Sequence, residues 1–166
     1  MENCWVCPEG IDYMVYPYYT VTMKIYLDHC AYNRPFDDQS SIKIQLEISA
    51  KLYIQEKIRQ GKYDLVWSYM SDLENSKNPN IENKKSIQVW KNIAKDICKS
   101  SNAILDRGKE IEQKGVRAKD SLHIASAIES QCEYFITTDM GLLNKQFDEI
   151  QIINPIDFVR IYGGKE

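Results

Sequence analysis

From residue 23 onward, short apolar runs alternate with longer amphipathic stretches, and this alternation limits the possible folds more than any other feature of the sequence. It is typical of βαβ units, in which helices connect parallel strands. Runs rich in β-branched and aromatic residues predict four strands: residues 24–27 (KIYL), 64–67 (DLVW), 134–136 (YFI) and 151–153 (QII). Each run ends at a turn or helix-start signal. The pattern therefore predicts an α/β protein with a short parallel sheet.

The spacing of apolar residues predicts helices between and after these strands. They cover about residues 40–60, 69–75, 82–99, 102–114, 119–131 and 156–162. Residues 41–49 (SIKIQLEIS) alternate like a strand, but apolar residues continue at helical spacing as far as Gly61, which favours a helix. No strand signal occurs between residues 82 and 119. This part of the chain is therefore expected to be a helical insertion.

The composition is that of an ordinary globular protein with one domain. The chain has 166 residues, of which 43% are hydrophobic and 27% are charged, and a chain of this length can bury a core without disulfides. The domain is expected over residues 23–162. Residues 1–22 are crowded with tyrosine and have neither the basic nor the apolar region of a signal peptide. They are expected to be a disordered extension or to precede a natural start at Met23.

The cysteines indicate a reducing compartment. There are five of them, irregularly spaced, which does not suit a disulfide framework, so a cytoplasmic location is expected. Cys4 and Cys7 form a C-x-x-C pair, but no second pair or histidines at ligand spacing follow to complete a zinc site. No run of about 18 apolar residues occurs, so no membrane span is expected.

The charge distribution places any contact with nucleic acid in one part of the chain. The net charge is -3, which excludes binding through bulk positive charge. Between residues 76 and 119, however, eleven basic residues face five acidic ones. The candidate phosphate contacts are Lys84, Lys85, Lys91 and, outside this stretch, Arg34. Trp90 is a candidate platform for base stacking, and the alternative is a solvated helix face with Trp90 as its apolar anchor.

Carboxylates occur where a parallel sheet binds its ligands, at the carboxyl ends of the strands. Asp28 directly follows the first strand and Asp139 follows YFITT. Glu74 comes shortly after the second strand, and Asp120 opens the helix that precedes the third. The four carboxylates can therefore converge at one edge of the sheet.

Each of these acids alone also has a structural explanation. Asp28 and Asp139 can cap turns or helices, Asp120 can interact with a helix dipole, and Glu74 can be a solvated helix residue. Together they favour a metal site, because like charges at close quarters need a compensating cation. Oxygen ligands select Mg²⁺ or Mn²⁺ over zinc, and an all-carboxylate site is typical of phosphoryl chemistry.

Four segments of the chain carry a family resemblance. They are KIYLDHCAYNRPFDDQ, SYMSDLENSKNP, KDSLHIASAIE and CEYFITTDMGLL. With these segments the chain resembles the PIN domains over about residues 23–159, a family that includes the ribonuclease toxins of bacterial toxin–antitoxin pairs. The Asp-led, Ala-rich helix followed by a strand ending in T-x-D is the most specific part. The resemblance implies a three-layer α/β/α fold of Rossmann-like type.

The resemblance also implies a function and a set of site residues. It implies Mg²⁺- or Mn²⁺-dependent hydrolysis of RNA that leaves 5′-phosphate and 3′-hydroxyl ends. The metal ligands carried over are Asp28, Glu74, Asp120 and Asp139, with the Thr137 hydroxyl positioning a carboxylate or phosphate. A toxin role would imply a homodimer and an antitoxin partner.

The sequence departs from the family pattern in two places. His29 stands where the family usually has a small hydroxyl residue beside its first Asp. Glu74 is the least securely aligned acid, and Asp72 or Glu47 are possible substitutes or additional members.

Three other functions compete with a metal-dependent nuclease. A metal-independent nuclease would use His29 and His123 as acid and base. A phosphatase with an aspartyl nucleophile usually has D-x-D after its first strand, whereas Cys30 occupies the second of these positions. The third alternative is a non-catalytic PIN-like module that binds RNA or a protein.

Overall fold

The computed structural model of the protein describes residues 22–33 and 40–164. Arg34, the Cys4/Cys7 pair and nearly all of the predicted extension lie outside the described residues. The strands are β1 (Met23–Leu27), β2 (Tyr63–Ser68), β3 (Asp96–Cys98), β4 (Tyr134–Ile136) and β5 (Gln151–Ile153). The helices are α1 (His29–Asn33), α2 (Ile42–Arg59), α3 (Tyr69–Ser76), α4 (Ile81–Ile93), α5 (Asn102–Gln113), α6 (Ala118–Glu129), α7 (Met140–Leu143) and α8 (Pro155–Tyr162).

The strands form one parallel sheet in the order β3-β2-β1-β4-β5. β1 lies at its centre, with Ile25 opposite Leu65 on one side and Tyr134 on the other. Its last three residues are almost completely buried, as expected for a central strand covered on both faces. The carboxyl ends of β1, β2 and β4 therefore lie next to one another.

Helices cover both faces of the sheet and produce two separate cores. On one face, Ile25, Leu27 and Trp67 pack with residues of α2, α4 and α8. On the other face, Tyr26 and Phe135 pack with residues of α5 and α6. Successive side chains of a strand point to opposite faces, so the alternation along β1 supplies both cores. The predicted three-layer α/β/α fold class is confirmed.

The prediction of an entirely helical stretch between residues 82 and 119 was wrong. The helix predicted to reach residue 99 ends at Ile93, and β3 follows it and pairs with β2 through Val66 and Asp96. β3 has only three residues, and Asp96 and Ile97 are exposed at the edge of the sheet. A strand so short and exposed carries no hydrophobic alternation, so only pairing with β2 defines it. The short helices α1 and α7 were also not predicted.

Within residues 22–33 and 40–164, no helix combines the length and the apolar composition needed to cross a bilayer.

Candidate metal centre

Asp28 is fixed at the carboxyl end of the central strand. Its backbone N–H donates to Ile136 O at 2.9 Å, and its side chain is buried. The carboxylate accepts hydrogen bonds from His29 N at 2.7 Å, Cys30 Sγ at 2.9 Å and Thr137 Oγ1 at 2.7 Å. Burial and the adjacent Asp28 carboxylate raise the pKa of Cys30 to about 12, so its thiol keeps the proton that it donates. These donors hold the carboxylate in one orientation.

Glu74, on α3, faces two residues of α6. Lys119 Nζ forms a close ion pair with one carboxylate oxygen, and His123 Nε2 lies 3.0 Å from the other. Burial by itself raises the pKa of Glu74, but the contacts with His123 and Lys119 outweigh it and hold the pKa at about 2. Glu74 is therefore ionised at neutral pH.

His123 is only 1% exposed, and its two ring nitrogens have different surroundings. Nδ1 is hydrogen-bonded to the Tyr26 hydroxyl at 2.6 Å, and that hydroxyl also lies 2.5 Å from Ser68 Oγ. Nε2 makes no hydrogen bond in the described part of the chain, although a Glu74 oxygen lies 3.0 Å away. A buried ring nitrogen without a partner is suited to a metal ligand, whose other nitrogen is usually held by a second group.

Asp28, Glu74 and His123 together can hold a metal ion. One ligand atom from each lies within 4.8 Å of the others, an arrangement that we call the acid–histidine cluster. They come from the end of β1, from α3 and from α6. These elements are far apart in the sequence, but they meet at one edge of the sheet. The donor set of two carboxylates and one imidazole, with the unpartnered Nε2, fits a divalent cation.

Asp120 and Asp139 lie outside the acid–histidine cluster, and Arg117 forms ion pairs with both of them. Arg117 Nε lies 2.6 Å from Asp120 Oδ2, and its Nη2 atom lies 2.7 Å from Asp139 Oδ2. The hydrogen bond and charge of Asp120, with the charge of Asp139, raise the pKa of Arg117. Two of the four predicted metal ligands are thus in the acid–histidine cluster, and the other two surround a guanidinium.

Thr137 connects these two groups of acids. Its hydroxyl donates to Asp28 Oδ2 at 2.7 Å and accepts a hydrogen bond from the backbone N–H of Asp139 at 3.1 Å. The side chain is completely buried. The hydroxyl therefore contacts the Asp28 carboxylate, and its role in positioning that carboxylate for catalysis stays a prediction.

The two alternative acids lie elsewhere. Asp72 accepts a hydrogen bond from Trp67 Nε1 at 3.0 Å and forms an ion pair with Lys91 at 2.7 Å. Glu47 is buried on α2, where it accepts a hydrogen bond from Asn154 at 3.2 Å. Neither residue belongs to the acid–histidine cluster.

An open cavity of about 490 Å³ adjoins the cluster, and Glu74 is part of its wall. The other lining residues are His29, Asn33, Leu73, Lys77, Asn78, Pro79, Asn83 and Lys119. The lining thus combines two ammonium groups, three amides and a small apolar surface.

The lysines predicted to contact substrate are engaged in contacts within the protein. Lys84 donates to Ser76 O at 3.1 Å, Lys85 lies 3.5 Å from Glu82, and Lys91 is paired with Asp72. None of the three lines the cavity beside the cluster.

Trp90 is 5% exposed and packs in the core beneath Arg59, whose guanidinium lies 4.6 Å from the ring centroid. Of the two alternatives left open by the sequence, the structure supports the apolar anchor, since a ring this buried cannot serve as a base-stacking platform.

Sequence reasoning missed His123 as a candidate ligand. The sequence suggested it as an acid or base, and its position three residues after Asp120 places it one helical turn further along α6. The carboxylate that it meets is Glu74, on a different helix. Lys77 and Lys119 were missed as cavity residues because eleven basic residues occur in the segment of residues 76–119, and the sequence does not show which of them face the site.

Known proteins offer little guidance to the function. No family model and no curated protein matches the sequence. Among solved structures, the chain is similar to VapBC2 from Rickettsia felis bound to a DNA fragment from their promoter. The match has 20% identity and a TM-score of 0.49, and it covers 80% of this chain and 98% of that chain.

Proposed function

We propose that the protein is a metal-dependent ribonuclease that hydrolyses RNA phosphodiester bonds. The observation that carries this proposal is the convergence of Asp28, Glu74 and the unpartnered Nε2 of His123 within 4.8 Å, next to a cavity with two lysines. Metal-dependent phosphoryl transfer requires carboxylates that hold the cation. It also benefits from nearby positive groups that bind the negatively charged nucleic acid.

The cation is proposed to be Mg²⁺ or Mn²⁺. Carboxylates suit both ions, whereas an imidazole ligand shifts the preference towards Mn²⁺. When bound, such a cation polarises the phosphate and activates a water molecule. Asp28 and Glu74 hold it, and Thr137 keeps the Asp28 carboxylate in place through a hydrogen bond of 2.7 Å.

Asp120 and Asp139 are proposed as ligands of a second cation. The guanidinium of Arg117 forms ion pairs with both carboxylates, so a second cation would have to displace it. Arg117 is 73% exposed, and a long exposed side chain can change rotamer at little cost.

A cellular role as a cytoplasmic toxin is part of the proposal, with an antitoxin protein and a homodimer as the expected partners. It is supported by the resemblance of the sequence segments to PIN toxins. Co-purification with the product of an adjacent small reading frame would test it, and a monomer without such a partner would contradict it.

One observation favours a second candidate, a non-catalytic module that binds RNA or protein. The guanidinium of Arg117 pairs with both Asp120 and Asp139 and offsets part of their negative charge, as expected if no second metal ion binds there.

Cleavage of a labelled structured RNA tests the nuclease proposal. Wild-type protein, Asp28→Asn, Glu74→Gln and the control Asp106→Asn are compared with Mg²⁺, with Mn²⁺ and with chelator. Asp106 is an exposed acid on α5, paired with Lys109. We expect metal-dependent cutting by wild type and control and its loss in both site variants. Absence of cutting under all conditions, with RNA still bound, would support the non-catalytic module.

A further inference from the structure

We propose that the cavity beside the acid–histidine cluster binds one nucleotide unit of the RNA strand, adjacent to the bond that is cut, and distinguishes its base through asparagine amides. This inference rests on the proposed ribonuclease function and adds a base-reading subsite to it. The cavity volume of about 490 Å³ lies within the range of about 300–1,000 Å³ that is usual for small-molecule sites.

The cavity offers an apolar surface for a flat ring. Leu73 is 46% exposed although it is a large aliphatic residue, and Pro79 is exposed in the loop between α3 and α4. Both belong to the cavity wall. Exposed aliphatic side chains against which a base can pack are consistent with a nucleobase as the occupant.

Amide groups beside this surface can read the edge of a base. Asn78 is held in place, since its Nδ2 donates to Asn33 Oδ1 at 3.3 Å and its Oδ1 accepts from Asn80 N at 3.1 Å. The side-chain amide of Asn83 has no partner among the described residues, although its backbone N–H is bonded to the cap residue Asn80. An amide offers a donor and an acceptor side by side, which is the pattern that base edges present.

Two ammonium groups lie on the cavity wall, and one of them is available to a phosphate. Lys119 lies at the cluster end, paired with Glu74. Lys77 follows α3, and its ammonium group has no partner within residues 22–33 and 40–164. Ammonium groups contact phosphate as point charges, so the unpaired Lys77 suits the phosphate of a nucleotide in the cavity.

His29 adds a buried group that lacks a partner. Its side chain lines the cavity and is 8% exposed, and Nδ1 has no hydrogen-bond partner in the described part of the chain. A buried polar atom without a partner carries a desolvation cost. Because that atom is not accessible to solvent, it supplies no contact to the nucleotide, and His29 contributes only other parts of its side chain to the cavity wall.

Binding of the four nucleoside 5′-monophosphates, measured by calorimetry on the full chain without metal, tests the inference. The variants are Asn83→Ala and Lys77→Ala, with Lys85→Ala as the control, because Lys85 is also an exposed lysine but lies on α4 outside the cavity. Circular dichroism checks that each variant folds. Lys77→Ala should weaken binding of all four, and Asn83→Ala should weaken the preferred nucleotide about threefold to tenfold, as loss of one or two hydrogen bonds implies. Lys85→Ala should change nothing.

The same variants separate this inference from the proposed function. Unchanged nucleotide binding in both cavity variants, or no binding by wild type, overturns the inference, whether or not RNA is cut. Nucleotide binding that depends on Asn83 and Lys77, in a protein that cuts no RNA with any metal, supports the subsite and overturns the ribonuclease.

Discussion

The Nε2 atom of His123 is completely buried and lies 3.0 Å from a carboxylate oxygen of Glu74, without a hydrogen bond to any described residue. An imidazole in this position is a ligand that Mn²⁺ accepts more readily than Mg²⁺ does. The relationship therefore affects which cation the site selects, as well as whether it binds one.

His123→Asn is expected to weaken Mn²⁺ binding about tenfold or more, in the range seen when metal-site groups are altered, and to weaken Mg²⁺ binding less. The reason is the loss of the only nitrogen donor in the acid–histidine cluster. Calorimetry and Mn²⁺ electron paramagnetic resonance on the protein without RNA measure this. His29→Asn, which is outside the cluster, is the control. An equal loss for both ions would contradict imidazole ligation.

Tyr26→Phe is expected to reduce stability and metal affinity together. The hydroxyl binds His123 Nδ1 at 2.6 Å and Ser68 Oγ at 2.5 Å in a completely buried position. Its removal leaves buried polar atoms unpaired, which costs about 1–3 kcal/mol, and it loosens the His123 ring. Urea unfolding and Mn²⁺ titration follow the two effects.

Tyr53→Phe is the matched control for that variant. Its hydroxyl donates to Gly163 O at 2.6 Å, between α2 and the end of α8 and not at the metal centre. It should lose stability and keep its affinity for Mn²⁺. A loss of Mn²⁺ affinity in the control equal to that in Tyr26→Phe would show that the metal effect is only a result of general destabilisation.

Arg117→Gln is expected to increase the stabilisation of the protein by divalent cations. The change frees Asp120 and Asp139 from the guanidinium, so that both carboxylates become available to a cation. The shift in Tm on adding Mn²⁺ should be larger than in wild type. Arg107→Gln is the control, since Arg107 also bridges two acids, Glu110 and Glu149, but lies on α5. Equal shifts in the two variants would argue against a second cation site.

Lys51→Met is expected to stabilise the protein at neutral pH. Burial, with the charge of Arg59, lowers the pKa of Lys51 from 10.5 to about 8. Below pH 8 both the folded and the unfolded state hold the proton, and the folded state carries the cost of a buried charge, so the gain at pH 7 should be about 1–3 kcal/mol.

The stabilisation by this change should shrink as the pH rises from about 8 to 10.5. In that window the unfolded state binds a proton that the folded state lacks, so the wild type becomes more stable with rising pH. Urea unfolding of wild type and variant at several pH values measures the difference. Lys62→Met, at an exposed lysine, serves as the control. If the difference in unfolding free energy between wild type and Lys51→Met did not change with pH, Lys51 would remain charged in the folded state.

The sequence alone determines the elements whose signals are local. The apolar runs of β1, β2, β4 and β5 and the helical spacing between them predict most of the sheet and the helices around it. Because parallel strands present their carboxyl ends at one edge, the positions of Asp28 and Asp139 within a few residues of strand ends can also be read from the chain.

Only the tertiary structure decides which of these groups meet. β3 exists because β2 offers a pairing edge, and Trp90 is buried because α4 packs on the sheet. Likewise, Glu74 meets His123 across two helices, while Arg117 joins Asp120 to Asp139. Side-chain contacts between distant segments depend on packing distances of a few ångströms, and the periodicity of a sequence specifies faces of elements but not those distances.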